Sequence, residues 1–148
     1  MLLSVHATVG AIIGENVNTP LLAFVLAFIS HFILDIIPHG DAKLIKAYRN
    51  DFRNKGFLYL IIFDIIATII ILTLLFISHK ISYSQKVFWG IIGGILPDLM
   101  VASHEITNKY FKRWSKIHAW THDRINWAIP LQLGIIVQII IIYLILRK

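Results

Sequence analysis

Four long apolar segments constrain the fold of this chain more than any other feature. Residues 20–38, 57–78, 87–103 and 127–146 each come close to the roughly 20 residues that a helix needs to cross the hydrocarbon core of a bilayer. Hydrophobic residues make up 57% of the 148 positions, and the mean hydropathy of +0.75 is too high for an ordinary soluble domain. The sequence therefore predicts an all-α, polytopic membrane bundle with four spanning helices, in a single integral membrane domain over residues 1–148.

A fifth apolar stretch, residues 1–14, is shorter. Its small residues recur at helical spacing and would let a neighbouring helix approach closely: Ala7, Gly10, Ala11 and Gly14. We expect a short N-terminal helix here that either spans the membrane or re-enters it. The sequence does not decide between the two.

The basic residues predict an orientation. Two loops hold ten of the 14 Lys and Arg residues: Lys43, Lys46, Arg49, Arg53, Lys55, Lys109, Lys112, Arg113, Lys116 and Arg124. If every segment spans, both loops lie on one side, and the positive-inside rule places them and the N-terminus in the cytoplasm, with the chain in the inner membrane. The net charge of +6 then reflects attraction to anionic lipid rather than to nucleic acid. We expect membrane lipid as partner and leave a homo-oligomer open.

Ionisable side chains interrupt the first long apolar segment near its end. His31 and Asp35 are four residues apart and share one helix face, which His39 would continue if the helix passed Pro38; Asp41 follows. Ionisable groups at membrane depth usually mark a functional site. Because the chain has no cysteine, His and carboxylate oxygens are the ligands available to a divalent metal.

Two further motifs carry the same residue types. In the first, Gly90, Gly93 and Gly94 precede Pro97 and Asp98, so close packing and a weakened helix would aim the carboxylate into the bundle. In the second, His118 and His122 are four residues apart. The alternatives are a plain glycine packing face for the first motif and solvated histidines for the second.

The buried polar residues are expected to meet at one end of the bundle. His31 and Asp64 would each lie roughly 10 Å from the side that carries the basic loops, near the level of His6 and Asp98. Each ionised group at mid-membrane costs about 2.5 to 3.5 kcal/mol on insertion scales, and a bound metal ion would offset that cost. Asp64 alone has a simpler alternative, a hydrogen bond to a neighbouring helix.

The early histidine, Ser-His-Phe-Ile-Leu-Asp at 30–35, Leu-Pro-Asp at 96–98 and His-Ala-Trp-Thr-His at 118–122 together resemble motifs of the small membrane-bound metal-dependent hydrolases of the YdjM-like group. That group is thought to be similar to zinc-dependent phospholipase C and related nucleases. The order of the motifs differs here, and Val5 stands where the group has a glycine before its histidine.

The resemblance implies metal-assisted hydrolysis of a phosphoester, with a lipid or another amphiphile as substrate. Zinc is the expected metal, with manganese and iron as alternatives that suit the same donors. The predicted catalytic residues are Asp64, as general base, and His122. The predicted metal ligands are His6, His31, Asp35, His39, Asp41, Asp98 and His118.

Two other classes of function fit the same residues. One is a transporter of metal or protons in which His and Asp form a relay, although the chain shows no inverted repeats. The other is a non-catalytic membrane protein that keeps a structural metal ion with every coordination position filled.

Overall fold

The computed structural model describes residues 1–40, 55–107, 109–122 and 129–147, and within these ranges it contains six helices and no strand. The all-helical prediction is confirmed. The helices are α1 (Leu3–Asn16), α2 (Pro20–Ile36), α3 (Lys55–Ile77), α4 (Gln85–Thr107), α5 (Lys112–His122) and α6 (Leu131–Leu146).

Helix α1 is the central helix of the bundle. It contacts α2, α3, α4 and α6, and nine of its 14 residues are buried, namely Ser4, Val5, His6, Ala7, Thr8, Val9, Gly10, Ala11 and Gly14. The predicted short N-terminal helix is thus confirmed. Its central position was not predicted, because a run of only 14 residues gives no sign of how many neighbours surround it.

Glycines allow α1 and α4 to cross with their backbones in contact. A methyl group added at Gly10 would collide with the carbonyl oxygen of Gly90, and one added at Gly90 would collide with that of Gly10. One turn further along α4, a methyl group at Gly94 would lie 2.5 Å from the carbonyl oxygen of His6. The small residues of both helices therefore form one interface; close packing of each was predicted from the sequence, and their pairing comes from the structure.

Proline sets both ends of α2. Pro20 occupies the first turn, where its missing N–H is not needed, and the Thr19 hydroxyl accepts a hydrogen bond from the Leu22 amide at 3.2 Å. The helix ends at Ile36, and Ile37 is extended because a residue before proline avoids the helical region. His39 therefore reaches the site from a loop, and the helix does not continue past Pro38.

Among the described residues, two helices are long and apolar enough to cross a membrane, over Leu58–Ile77 and Gln85–Glu105. Helices α2 and α6 have 17 and 16 residues, so their spanning stays a prediction. Much of α3 exposes large apolar side chains, among them Leu58, Ile62, Phe63, Ile66, Ile69, Ile70, Leu74 and Ile77. A surface of this size and kind is expected in contact with lipid, and these helices support the prediction of a membrane protein.

Helix α5 packs against α2 and α4 at the end of the bundle where α4 finishes. Ser115, His118 and Thr121 are buried and recur every three residues, so they form its inner face. The residues between them are mostly exposed. This short amphipathic helix brings the last residue of the site against α2.

Candidate metal centre

Two imidazoles and two carboxylates from three helices converge at this end of the bundle. His31 and Asp35 come from α2, Asp98 from α4 and His118 from α5, and one possible ligand atom from each lies within 4.8 Å of the others. The side chains of His31 and Asp35 are fully buried, that of His118 is 9% exposed and that of Asp98 is 27% exposed. The group is therefore open to its surroundings on the Asp98 side. We call these four residues the metal cluster.

The distances between the possible ligand atoms show that all four converge on one point. His31 Nε2 lies 3.1 Å from His118 Nε2 and 3.1 Å from Asp35 Oδ2. His118 Nε2 lies 3.2 Å from both Asp35 Oδ2 and Asp98 Oδ1. Four potential ligand atoms thus point at one small volume, which is the arrangement that a divalent ion requires.

The hydrogen bond on the far side of the His31 ring fixes its tautomer. Nδ1 lies 2.8 Å from the carbonyl oxygen of Gly94 and donates to it. In the neutral ring Nε2 then carries the lone pair that faces the cluster. A histidine that binds a metal commonly donates its other ring N–H to a backbone carbonyl, so His31 has the environment of a ligand.

Asp35 connects the cluster to a second group of polar atoms. Its Oδ1 lies 2.7 Å from the α-amino nitrogen of Met1 and 3.1 Å from His6 Nε2. That nitrogen of Met1 lies 2.9 Å from His39 Nε2, and His39 Nδ1 donates to the carbonyl oxygen of Ile37 at 2.6 Å. His6 also stacks on His31 with ring centroids 3.8 Å apart. His6 and His39 thus lie next to the metal cluster on its α1 side.

His118 belongs to α5, outside the candidate membrane spans, and its charge depends on the two carboxylates. Burial by itself lowers its pKa, but hydrogen bonds to Asp35 and Asp98 outweigh burial and raise the pKa from 6.5 to about 9. In the metal-free protein His118 is therefore a cation at neutral pH. A metal ion of the same sign of charge would take the place of this proton.

Asp64 lies at the N-terminus of α1 and not in the metal cluster. Its two carboxylate oxygens accept hydrogen bonds from the backbone amides of Leu3 and Ser4. These amides belong to the first turn of α1, where no intrahelical acceptor is available. The structure thus agrees with the simpler alternative for Asp64, a hydrogen bond to a neighbouring helix, and its role as general base stays a prediction.

Gln138 fixes the neighbouring backbone from α6, and sequence reasoning missed it. Its Oε1 accepts from the Leu2 amide at 2.7 Å, and its Nε2 donates to the carbonyl oxygens of Gly134 and His39 at 3.2 and 3.4 Å. It is 2% exposed. A glutamine inside a 16-residue apolar helix was the signal that could have found it.

Six of the nine predicted site residues lie next to one another in the structure: the four residues of the metal cluster, His6 and His39. Asp64 is a helix cap. Asp41 and the side chain of His122 lie outside the described residues. The Gly94 carbonyl and the amine of Met1 are contacts that no side-chain pattern could predict.

The residues present fit a divalent metal ion. Two imidazole nitrogens and two carboxylate oxygens are donors that suit zinc, manganese and iron alike. The fixed tautomer of His31 and the shared focus of the four atoms meet the usual requirements for a bound ion. The identity of the metal is not decided by this donor set.

Comparisons of this chain with protein-family models, with curated proteins and with solved structures found no match.

Proposed function

We propose that this protein is a membrane-embedded, metal-dependent hydrolase that cleaves a phosphoester of a lipid or another amphiphile. The observation that carries the proposal is the convergence of His31, Asp35, Asp98 and His118 on one point, with Asp98 partly exposed. The resemblance of the sequence motifs to the YdjM-like group supports the same chemistry. In the reaction, water adds to phosphorus and the bond to the leaving alcohol breaks.

A divalent ion, with zinc as our first choice, would neutralise charge on the phosphate oxygens and lower the pKa of a water molecule that it binds. His31, Asp35, Asp98 and His118 would hold it. Asp98 is the most exposed of the four, so the substrate would enter on its side. His6 and the amine of Met1 hold Asp35 in place through its other oxygen.

The opposite end of the bundle favours a closed site over a transport path. Ala11, Leu75, Ile81 and Val87 form a buried apolar cluster there, with Ile12, Ile71 and Phe76 packed against it. A relay for protons or metal ions needs polar groups through the membrane. The described residues of this cluster are all apolar and supply no such polar group.

We further propose that α2 and α6 also span, giving four spanning helices, and that the metal cluster faces the cytoplasm from the inner membrane. The exposed Lys112, Arg113 and Lys116 of α5, the helix that carries His118, support this orientation. A phospholipid whose phosphate reaches the level of Asp98 then becomes the natural substrate. Lys and Arg side chains at this end would attract its anionic headgroup.

The first experiment is the metal content of the detergent-purified protein by elemental mass spectrometry. We expect at least one equivalent of zinc, manganese or iron per chain in the wild type, and its loss in His31→Ala and in Asp98→Ala. The control is His79→Asn, which removes an exposed histidine outside the cluster and keeps a residue that tolerates the positive φ of 55° at that position. Metal-loaded protein is then assayed for release of phosphate or alcohol from phospholipids and from a chromogenic phosphodiester.

Absence of stoichiometric metal after purification without chelators, together with no uptake when metal is added, would contradict the proposal. A second outcome is that the wild type binds metal, the variants lose it, and no phosphoester is hydrolysed. The protein would then be a non-catalytic membrane protein with a structural metal ion.

A further inference from the structure

The outward side of α5 is a compact basic surface. Lys112, Arg113 and Lys116 are all exposed and lie within about one turn and a half of helix. Ile117 and Trp120 lie beside them and are 49% and 56% exposed. We call these five residues the outer face of α5. It combines cations with an aromatic and an aliphatic side chain, which is the composition of helices that lie in the headgroup region of a membrane.

The position of α5 along the chain places this surface at the membrane boundary. The candidate span of α4 ends at Glu105, and α5 begins seven residues later at Lys112. Helix α5 is only 11 residues long and carries several charges, so it does not span. Its inner face covers α2 and α4, and within the described part of the chain the outer face is exposed, so that it would lie against headgroups.

The inner face carries a member of the metal cluster. His118 Nε2 reaches Asp35 and Asp98, each at 3.2 Å, and the buried Ser115 and Thr121 lie one turn to either side. Among the described helices α5 contacts only α2 and α4. The position of this one helix therefore decides whether His118 is present at the cluster.

We propose that the outer face of α5 binds the headgroups of anionic phospholipids, and that this contact holds α5 in the docked position that supplies His118 to the metal cluster. The inference rests on the metal site of the proposed function and adds a regulator to it. Three lysine and arginine side chains that face one direction complement a surface of negative phosphate groups. Docked α5 presents them together, whereas a detached and frayed α5 would not, so lipid binding favours the docked state.

The test uses the full-length protein in nanodiscs of phosphatidylcholine alone and in nanodiscs that contain 30 mol% phosphatidylglycerol. Two quantities are measured: the Kd for zinc by competition with a chromophoric chelator, and amide hydrogen exchange of peptides that cover 112–122 in the absence of metal. We expect anionic lipid to lower the Kd for zinc about fivefold or more and to slow exchange in α5. High salt should remove both effects because the charges lie at the surface.

The matched variants separate the basic surface from charge in general. Lys112→Gln/Arg113→Gln/Lys116→Gln should lose the response to lipid in both measurements and keep the Kd for zinc of the wild type in phosphatidylcholine. Lys116→Gln alone should lose part of the response to anionic lipid. Arg147→Gln, which removes an exposed cation beyond the far end of α6, should respond like the wild type.

The outcomes distinguish this inference from the proposed function. Equal zinc affinity and equal exchange in both lipids would overturn the inference and leave the metal site standing. Slower exchange that inorganic phosphate produces equally well in phosphatidylcholine would show a site for soluble anions and would also overturn it. Protection of α5 by anionic lipid, in a protein that binds no zinc in either nanodisc, would contradict the proposed function and the coupling to metal, and would retain lipid binding alone.

Discussion

His31 and His118 point their Nε2 atoms at each other across 3.1 Å, although 87 residues separate them in the chain. One lies on a long apolar helix and the other on a short amphipathic one. The carboxylates of Asp35 and Asp98 lie beside the two nitrogens, with Asp35 Oδ2 3.1 Å from His31 Nε2 and Asp98 Oδ1 3.2 Å from His118 Nε2. In the metal-free protein, hydrogen bonds and the positive charge of protonated His118 hold the two carboxylates near the imidazoles. A bound metal ion would replace the proton in this role.

The charge of His118 predicts how the stability of the metal-free protein depends on pH. Its pKa is raised to about 9 in the folded protein by Asp35 and Asp98, against 6.5 for an isolated histidine. The stabilisation is therefore complete below about pH 6.5 and is lost as the pH rises through 9. Thermal unfolding in the presence of a chelator should show Tm falling over this range. In His118→Gln the fall should be smaller, and an equal fall in both proteins would contradict this origin.

The same proton competes with the metal. Because His118 must lose it to become a ligand, zinc binding should release a proton and should strengthen as the pH rises from 7 to 9. Calorimetry in buffers of different ionisation enthalpy counts the released protons. A proton count at pH 7 that does not fall in His118→Gln would show that this histidine is not a ligand.

Gly94→Ala should destabilise the protein and also weaken metal binding. The new methyl group would lie 2.5 Å from the carbonyl oxygen of His6 and would force α1 and α4 apart. Overpacking of this kind costs roughly 1–3 kcal/mol, partly offset by the better helix propensity of alanine, about 1 kcal/mol. The Gly94 carbonyl also accepts from His31 Nδ1, so its movement disturbs a ligand.

Gly56→Ala is the control for that variant. Gly56 is exposed in the first turn of α3, and alanine there should leave Tm unchanged or slightly higher. A similar loss of stability in both variants would mean that the contact between Gly94 and His6 is not the cause.

Asp64→Asn and Asp64→Ala separate the two roles considered for Asp64. As a cap, its carboxylate accepts from two amides of α1, and alanine should cost about 1–2 kcal/mol because both amides lose their partner. Asparagine keeps one acceptor oxygen and should cost less. Both variants should still bind metal with wild-type stoichiometry.

A general base would give the opposite pattern. Asparagine would then abolish turnover of a phosphoester while leaving Tm close to that of the wild type. Measuring Tm, metal content and kcat on the same preparations decides between the two patterns.

Gln138→Leu should destabilise the bundle by roughly 1–3 kcal/mol. The variant leaves the partly buried Leu2 amide without its acceptor and removes the donor to the His39 carbonyl. Gln132→Leu makes the same chemical change at an exposed position of the same helix and should have little effect in a membrane environment. Chemical or thermal unfolding of the two variants side by side tests this, and equal stability would show that the Gln138 contacts contribute nothing.

The helical architecture and part of the cluster could be predicted from local patterns. Apolar runs of membrane length predicted α2, α3, α4 and α6, because backbone groups in such runs must be satisfied internally. The sequence assigned residues 112–122 to a basic loop, whereas the structure forms helix α5 there, because an 11-residue charged segment carries no apolar run. The spacing of His31 and Asp35 placed both on one face of α2, and the structure has their side chains 3.1 Å apart. The glycines at 90 and 94 predicted that another helix packs closely here, and in the structure that helix is α1.

Other features depended on contacts that no local pattern contains. His39 reaches the site because Ile37 turns extended before Pro38. The depth of Asp64 predicts that it belongs to the site as a general base, whereas the first turn of α1 supplies two amides at that level that its carboxylate binds. Depth in the membrane orders residues along one axis and leaves the direction around the helix undetermined.

The sequence by itself determined which residues are ionisable in an apolar setting and that they lie near one end of their helices, because hydropathy and the rise per residue are local properties. Only the tertiary structure decided that α1 is the centre of the bundle, that α5 brings His118 to α2, and that Asp35 connects both groups of polar atoms. These relations arise from packing between helices that are distant in sequence. Such packing depends on which faces of α1, α2 and α4 fit each other in space.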